Sequence, residues 1–261
     1  MSSSTEYRLL PGGTANFGRV LRIGDTVRRP RGAHTPAVHA LLGHLERTGF
    51  AGAPRVLSLD DDSESLTYLE GVAATDPLEE WALSVEVVRA VGGLLREYHT
   101  AARAFDARGR VWQRLVPERW RGELVTHNDV NPANVIFRAG RPAALIDFDL
   151  AAPATPAWEL AVAACFWAPL RHQIDIADSR QGAVAPRMRA LLDGYDAPPA
   201  LRAEVVEACV AANAWIADII AEAGRNGHPA FGRVWSATSQ MYARADRWLR
   251  QNRLQLADLV T

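Results

Sequence analysis

The residues best suited to chemistry lie between Leu124 and Ala161, in the run LVTHNDVNPANVIFRAGRPAALIDFDLAAPATPAWELA. His127, Asp129 and Asn134 come before or at one short apolar segment, Asn134–Phe137. Asp147 and Asp149 follow a second, Ala143–Ile146. Apolar runs of this length bounded by turn residues read as strands, and Gly140-Arg141-Pro142 between them reads as a turn, which makes a hairpin. A hairpin sets its two outer ends side by side, so Asp129, Asn134 and Asp147 are expected to converge. Two carboxylates and an amide oxygen suit a hard cation such as Mg²⁺, which prefers oxygen ligands and shares them with substrate phosphates. In an ordinary hairpin the same residue types would serve as turn and cap groups.

The elements that must position these groups differ between the two ends of the chain. Residues 1–72 read as a small β-rich unit. Leu9–Asn16 carries a Pro-Gly-Gly turn, Arg19–Ile23 a strand, Gly24-Asp25 a hairpin turn, and Thr26–Arg29 its partner strand. Backbone N–H groups near Gly13 and Asn16 could approach phosphate oxygens closely, because glycine adds no bulk; the same loop reads equally as a plain turn. Thr35-Pro36 opens a helix with an apolar stripe of Val38, Leu41, Leu42 and Leu45. Ala53–Leu59 and Ser65–Leu69 read as a second hairpin, with Asp60-Asp61-Asp62 as a solvated turn. From residue 76 the pattern turns helical. Ser84 is the expected cap of a helix with apolar positions Val87, Val88, Val91, Leu94, Leu95 and Tyr98, and Thr155 is the expected cap of another. Arg110–Glu123 is an irregular connection. Further helices are predicted over Pro186–Leu192, Leu201–Ala223 and Pro229–Gln251.

With these elements in place, a family resemblance can be stated. His127–Asn134 fits the pattern HxDxxxxN, and Ile146-Asp147-Phe148-Asp149 fits the metal-binding segment that follows it. Together they resemble the aminoglycoside and choline kinase-like phosphotransferases, which share the protein-kinase fold. The resemblance implies an α+β, bilobal architecture: an N-terminal lobe, 1–72, with a small antiparallel sheet, one helix and a hinge near 69–72, and a larger, mostly helical lobe, 73–261, holding the catalytic hairpin 124–150. It implies Asp129 as the catalytic base and Asn134 and Asp147 as Mg²⁺ ligands on the phosphates of ATP or GTP. It makes Leu69 and Glu70 a hinge whose backbone meets the nucleotide base. His127 would shape the catalytic loop, and Glu159, where the family usually has aspartate, would tie back to that loop's backbone. Asn131, Asp149, Trp167 and Asp218 are the substrate candidates. The acids Glu204, Glu207, Asp218 and Glu222 would suit a cationic acceptor, or simply form a solvated helix face.

One departure stands out. The chain has no lysine; all 29 basic residues are arginine. The strand lysine that grips nucleotide phosphates in this fold is either replaced or missing. Arg29 falls where that lysine would be. Alternation puts Arg28 and Arg29 on opposite faces, so only one enters the cleft, and Arg29 is the candidate. A guanidinium can hold phosphate bidentately. The glutamate expected on the following helix is also absent; His39 stands near its place, either exposed or beside the arginine.

Bulk properties narrow the function further. A formal net charge of −1 gives no reason to expect nucleic acid or an anionic membrane as partner. No apolar run is long enough to span a bilayer. The N-terminal MSSSTEYRLL lacks the pattern of a secretory signal, so the default expectation is a cytoplasmic enzyme. Cys165 and Cys209 are expected as buried free thiols. The reading is a small-molecule kinase acting on an antibiotic-like, amino-alcohol or sugar hydroxyl, with a catalytically degenerate binding or immunity protein as the alternative. Bacterial members resembling this chain include resistance and toxin-immunity proteins.

Overall fold

Each strand of the N-terminal sheet is short and bounded by turn chemistry. The computed structural model describes residues 7–10, 18–75 and 77–260. β1 (Tyr7–Leu10), β2 (Val20–Ile23), β3 (Thr26–Pro30), β4 (Val56–Leu59) and β5 (Ser63–Thr67) form one antiparallel sheet in the order β1-β2-β3-β5-β4. Ile23 pairs Thr26 across the two-residue Gly24-Asp25 turn, and Gly24 takes φ of 58°, which glycine supplies without a Cβ clash. The Pro-Gly-Gly loop with Gly13 and Asn16 lies outside the described residues.

β5 begins two residues earlier than its apolar pattern suggests. Ser63 and Glu64 extend the ladder with β3, pairing Arg29 with Glu64 and Arg28 with Ser65. Backbone hydrogen bonding decided this over hydrophobicity. α1 (Thr35–Arg47) packs its stripe of Val38, Leu41, Leu42 and Leu45 into the core. It starts one residue earlier than a Thr35 cap implies: His34 is the cap residue, and Thr35 Oγ1 accepts from Gly32 N at 2.9 Å instead.

After the sheet the chain runs through Leu69-Glu70-Gly71 into β6 (Val72–Ala73), which pairs with β8 (Val135–Arg138); β8 in turn pairs with β9 (Arg141–Leu145). The turn between β8 and β9 is Ala139-Gly140, both at positive φ. Pro142 therefore sits inside β9, not in the turn. β9 is an edge strand, where a missing N–H costs no ladder bond. β7 (Leu124–Thr126) pairs with β10 (Ala152–Ala154) and closes the segment between them on itself.

The helical part consists of α2 (Val85–Ala102), α3 (Pro156–Trp167), α4 (Val184–Tyr195), α5 (Pro199–Arg225) and α6 (Pro229–Val260). The caps expected from sequence are present: Ser84 Oγ accepts from Val87 N, and Thr155 Oγ1 from Trp158 N. α3 is apolar on all sides and nearly every residue is buried, the pattern of a central helix. α2 and α4 cross where Gly92 and Gly194 meet; a Cβ on Gly194 would stand 1.8 Å from the Arg89 carbonyl oxygen. An antiparallel sheet followed by a helical body makes the fold α+β. No helix among the described residues is long and apolar enough to cross a membrane.

Candidate active site

The loop between β7 and β8 is held from beneath by a buried carboxylate. Glu159, in the first turn of α3 and fully buried, accepts from His127 N at 2.7 Å and Asn128 N at 2.9 Å through Oε1. Its Oε2 accepts from His99 Nε2, and His99 Nδ1 meets Tyr195 Oη at 2.8 Å. These contacts hold Asn128 at φ of 62°, a left-handed conformation that asparagine tolerates better than most residues. Asn128 Nδ2 adds a bond to the Leu150 carbonyl at 3.1 Å. Trp167, at the end of α3, donates from Nε1 to the Val130 carbonyl at 2.7 Å.

His127 links the two ends of the hairpin. Its Nδ1 accepts from Asp129 N at 3.2 Å, so the proton belongs on Nε2, which donates to the Ile146 carbonyl at 2.9 Å. Complete burial pushes its pKa below the usual histidine range, only partly countered by Glu159, so the ring is neutral. Phe148 packs against it with ring centroids 4.5 Å apart. These contacts set Asp147 just past β9, at φ of 62°. Left-handed backbone at a non-glycine residue costs energy and is retained where surrounding contacts impose it.

Asp129 is gripped by two asparagines. Asn131 Nδ2 donates to Oδ1 at 2.8 Å, and Asn134 Nδ2 donates to Oδ2 at 2.8 Å and to the Asp129 carbonyl at 2.9 Å. Burial raises the Asp129 carboxyl to about 7; the Asn131 and Asn134 hydrogen bonds counter that effect and nearby Asp147 adds to it. A carboxyl in this range can take up and release a proton near neutral pH. Asn134 spends its amide nitrogen on Asp129, which leaves its amide oxygen as the outward donor atom. Asn134 and Asp147 both line a cavity of about 280 Å³ between the β-sheet and the β8–β9 hairpin.

Arg29 crosses to this site from β3. Its Nε donates to Glu64 Oε1 at 2.9 Å, Nη1 to Asp147 Oδ1 at 2.9 Å and Nη2 to Asp149 Oδ1 at 2.7 Å. Arg28 points outward to Ser63 and Asp60. Burial works against the Arg29 charge, but Asp149, Asp147 and Glu64 outweigh it and raise its pKa above the usual value. Burial and Asp149 raise the Asp147 carboxyl, an effect that Arg29 offsets in part. For Asp149, burial is overcome by the His34 hydrogen bond (3.3 Å) and Arg29, which hold it at about 2. The Asp147–Asp149 segment is thus clasped to β3 by one guanidinium.

Several residues singled out in the sequence stand elsewhere than expected. Asn131 uses both ends of its amide inside the loop, with Oδ1 accepting from Ala133 N at 2.9 Å, so it shapes the loop. Asp149 pairs with Arg29 and His34. Trp167 is 1% exposed and touches no open surface, so it packs beneath the loop. Asp218 is exposed on α5, and no hydrogen bond or ion pair among the described residues joins it to the Asp129–Asp147 cluster. At the hinge, Leu69 lines the cavity, whereas Glu70 is exposed, pairs with Arg22 at 2.5 Å and gives its carbonyl to Arg138 Nε at 2.8 Å.

Glu64, His34, His99 and Tyr195 were not singled out. Glu64 lies just before the predicted strand; its signal is the alternation Glu64-Ser65-Leu66, which puts it on the inward face with Leu66. His99 follows Leu95 by one helical turn on the buried stripe of α2, and a polar residue there needs a partner. His39, read as either exposed or beside the arginine, donates through Nε2 to Glu64 Oε2 at 2.6 Å, so a carboxylate stands between it and Arg29. Cys165 and Cys209 are free, and burial pushes the Cys165 thiol up to about 12.

Comparison with known proteins agrees with this architecture. A model of the phosphotransferase enzyme family matches residues 102–203. The trifolitoxin immunity protein of Rhizobium leguminosarum bv. trifolii is 35% identical over 187 residues, which cover 67% of this chain and 69% of that protein. A choline/ethanolamine kinase family protein from Mesorhizobium loti has the same fold, with a TM-score of 0.66 at 17% identity, covering 99% of this chain and 93% of that one. ADP-bound aminoglycoside phosphotransferase APH(2'')-Ib gives a TM-score of 0.59 at 14% identity, covering 99% and 95%.

Proposed function

The chain belongs to the phosphotransferase enzyme family, and from that premise we propose that it moves the γ-phosphoryl group of ATP or GTP to a hydroxyl of a small molecule. The observation that carries the proposal is the meeting of Asp129, Asn134 and Asp147 beside a cavity that Arg29, bonded to Asp147, also lines. Apolar side chains, among them Val20, Val27, Leu66 and Ile146, line the cavity and suit the flat base of a nucleotide. The Glu70 carbonyl already serves Arg138, so Leu69 is the residue of the 69–70 pair left to meet the base. Residues 1–72 would hold the nucleotide from above and residues 73–261 supply the chemistry from below.

The donor set fits a hard divalent cation. Asn134 presents its amide oxygen, and Arg29 takes only Oδ1 of Asp147. Mg²⁺ held by these two residues would neutralise charge on the nucleotide phosphates and keep several of its own waters, as this ion does. Asp129, fixed by Asn131 and Asn134, would orient the acceptor hydroxyl and take its proton as the oxygen attacks phosphorus. Positioning by a rigid loop supplies much of the rate in such reactions. The loop's rigidity here comes from Glu159, His127 and Trp167. An antibiotic-like compound, an amino alcohol or a sugar would each supply the hydroxyl. The test is to incubate the protein with hydroxyl-bearing compounds, Mg²⁺ and ATP or GTP, and follow a mass gain of one phosphoryl group. No transfer to any class, with no magnesium-dependent phosphate release from either nucleotide, would refute it.

One observation favours a second reading, a binding or immunity protein that keeps the scaffold without turnover. Arg29 is committed to three carboxylates, two of them at the metal side of the site. The relative named for trifolitoxin immunity is compatible with either reading. Tight nucleotide binding without phosphate release would favour the second.

A further inference from the structure

We propose that Glu64, carried on strand β5, is the positioning residue that aims Arg29 at the phosphate end of the cavity. It does the work of the helix-borne acid that this chain lacks. The inference rests on the nucleotide reading of the cavity.

Arg29 and Glu64 are directly opposed in the β3–β5 ladder. Opposed residues point to the same face with Cβ atoms roughly 4.5–5.5 Å apart. Both are buried, at 7% and 1% exposure. An arginine has four rotatable side-chain bonds, so its fork points nowhere in particular unless one edge is held. Glu64 holds the Nε edge at 2.9 Å, and the two Nη groups then face Asp147 and Asp149. The second oxygen of Glu64 is occupied as well, by His39 Nε2 at 2.6 Å. Neither oxygen is left unpaired, as a buried carboxylate requires. His39 thereby fixes Glu64, and Glu64 fixes Arg29.

The consequence concerns α1. An acid on a helix aims a cation only when the helix is docked in the right place. An acid on the neighbouring strand is set opposite the cation by the backbone ladder. In this protein α1 reaches the cluster through His39, which meets Glu64, and through its cap residue His34, which meets Asp149, but it supplies none of the carboxylates that hold Arg29. The acid that sets the direction of Arg29 is borne by the strand.

The test uses the full chain and a fluorescent N-methylanthraniloyl ATP with Mg²⁺, titrated by fluorescence, alongside thermal melts. Glu64→Gln preserves shape but removes the charge that anchors Nε. We expect nucleotide binding weaker by about tenfold or more, the effect of losing one charge-assisted hydrogen bond. Glu64→Asp keeps a strand-borne carboxylate opposite Arg29 and shortens it by one methylene. We expect it to bind within about threefold of the unaltered protein. A role in packing alone would make Asp, which loses volume, worse than the isosteric Gln. Glu64→Gln binding as tightly as the unaltered protein, or a folded Glu64→Asp binding no better than Glu64→Gln, overturns the inference alone. No binding by the unaltered protein overturns the nucleotide reading and the inference with it.

Discussion

Replacing Glu159 probes the support of the β7–β8 loop without needing to know the acceptor. In Glu159→Ala, His127 N and Asn128 N lose their common acceptor, and both residues are buried to 1% exposure or less. A buried donor left unsatisfied costs about 1–3 kcal/mol, so the pair costs about 2–6 kcal/mol. His99 Nε2 loses its acceptor as well, a further buried donor at about 1–3 kcal/mol. A loss of about 4 kcal/mol is a large part of the roughly 5–15 kcal/mol that holds a typical domain together. For a chain of this size it lowers Tm by roughly 8–16 °C. Glu159→Gln should be much milder. Its amide oxygen still serves both N–H groups, and His99 can accommodate the new NH₂ by moving its proton to Nδ1 and donating to Tyr195. Glu159→Asp, one methylene short, should fall between the two. Urea unfolding followed by circular dichroism measures all three. A loss below about 1 kcal/mol in Glu159→Ala, or equal losses in Ala and Gln, would refute the reasoning that this carboxylate satisfies the loop backbone.

Asp129→Asn should lose most of any turnover, about 10²–10⁴-fold, while nucleotide affinity largely survives; steady-state rates and a binding titration check both. The Asp129 carboxyl, raised to about 7 chiefly by burial, must be ionised to accept a proton. Activity as kcat/KM should therefore fall tenfold per pH unit below about 7 and level off above it, and a flat profile down to pH 5 would contradict the base assignment. The stability contribution has the opposite sign: a folded pKa above the unfolded value favours the folded state at acid pH, and that advantage is lost as pH rises through about 7. Asp147→Ala should abolish the magnesium dependence of nucleotide binding by calorimetry; unchanged binding would rule out its metal role. Trp167→Phe removes the hydrogen bond to Val130 and should cost about 1–3 kcal/mol in urea unfolding, because that carbonyl then lies buried without its partner.

What could be read from the sequence follows the range of the interactions. The β8–β9 hairpin is local, and once Ala139-Gly140 closes it, Asn134 and Asp147 have to meet. The caps Ser84 and Thr155 act over three residues and were visible for the same reason. The start of β5 was misplaced because its first two residues are polar, and only pairing with β3 keeps them in the strand. The burial of Trp167 and the exposure of Asp218 were not legible, because burial and direction on a helix depend on what packs against it.

By itself the sequence determined the α+β order of elements, the convergence of Asp129, Asn134 and Asp147, and the absence of lysine. It could not determine what replaces the lysine's partner. Arg29 lies 35 residues from Glu64 and 118 from Asp147, and Glu159 lies 60 from His99. Such contacts leave no periodic trace along the chain, because strand register and helix docking create them. Tertiary structure alone put Glu64 between Arg29 and His39, and with it decided that the cation beside the β8–β9 hairpin is held by a strand.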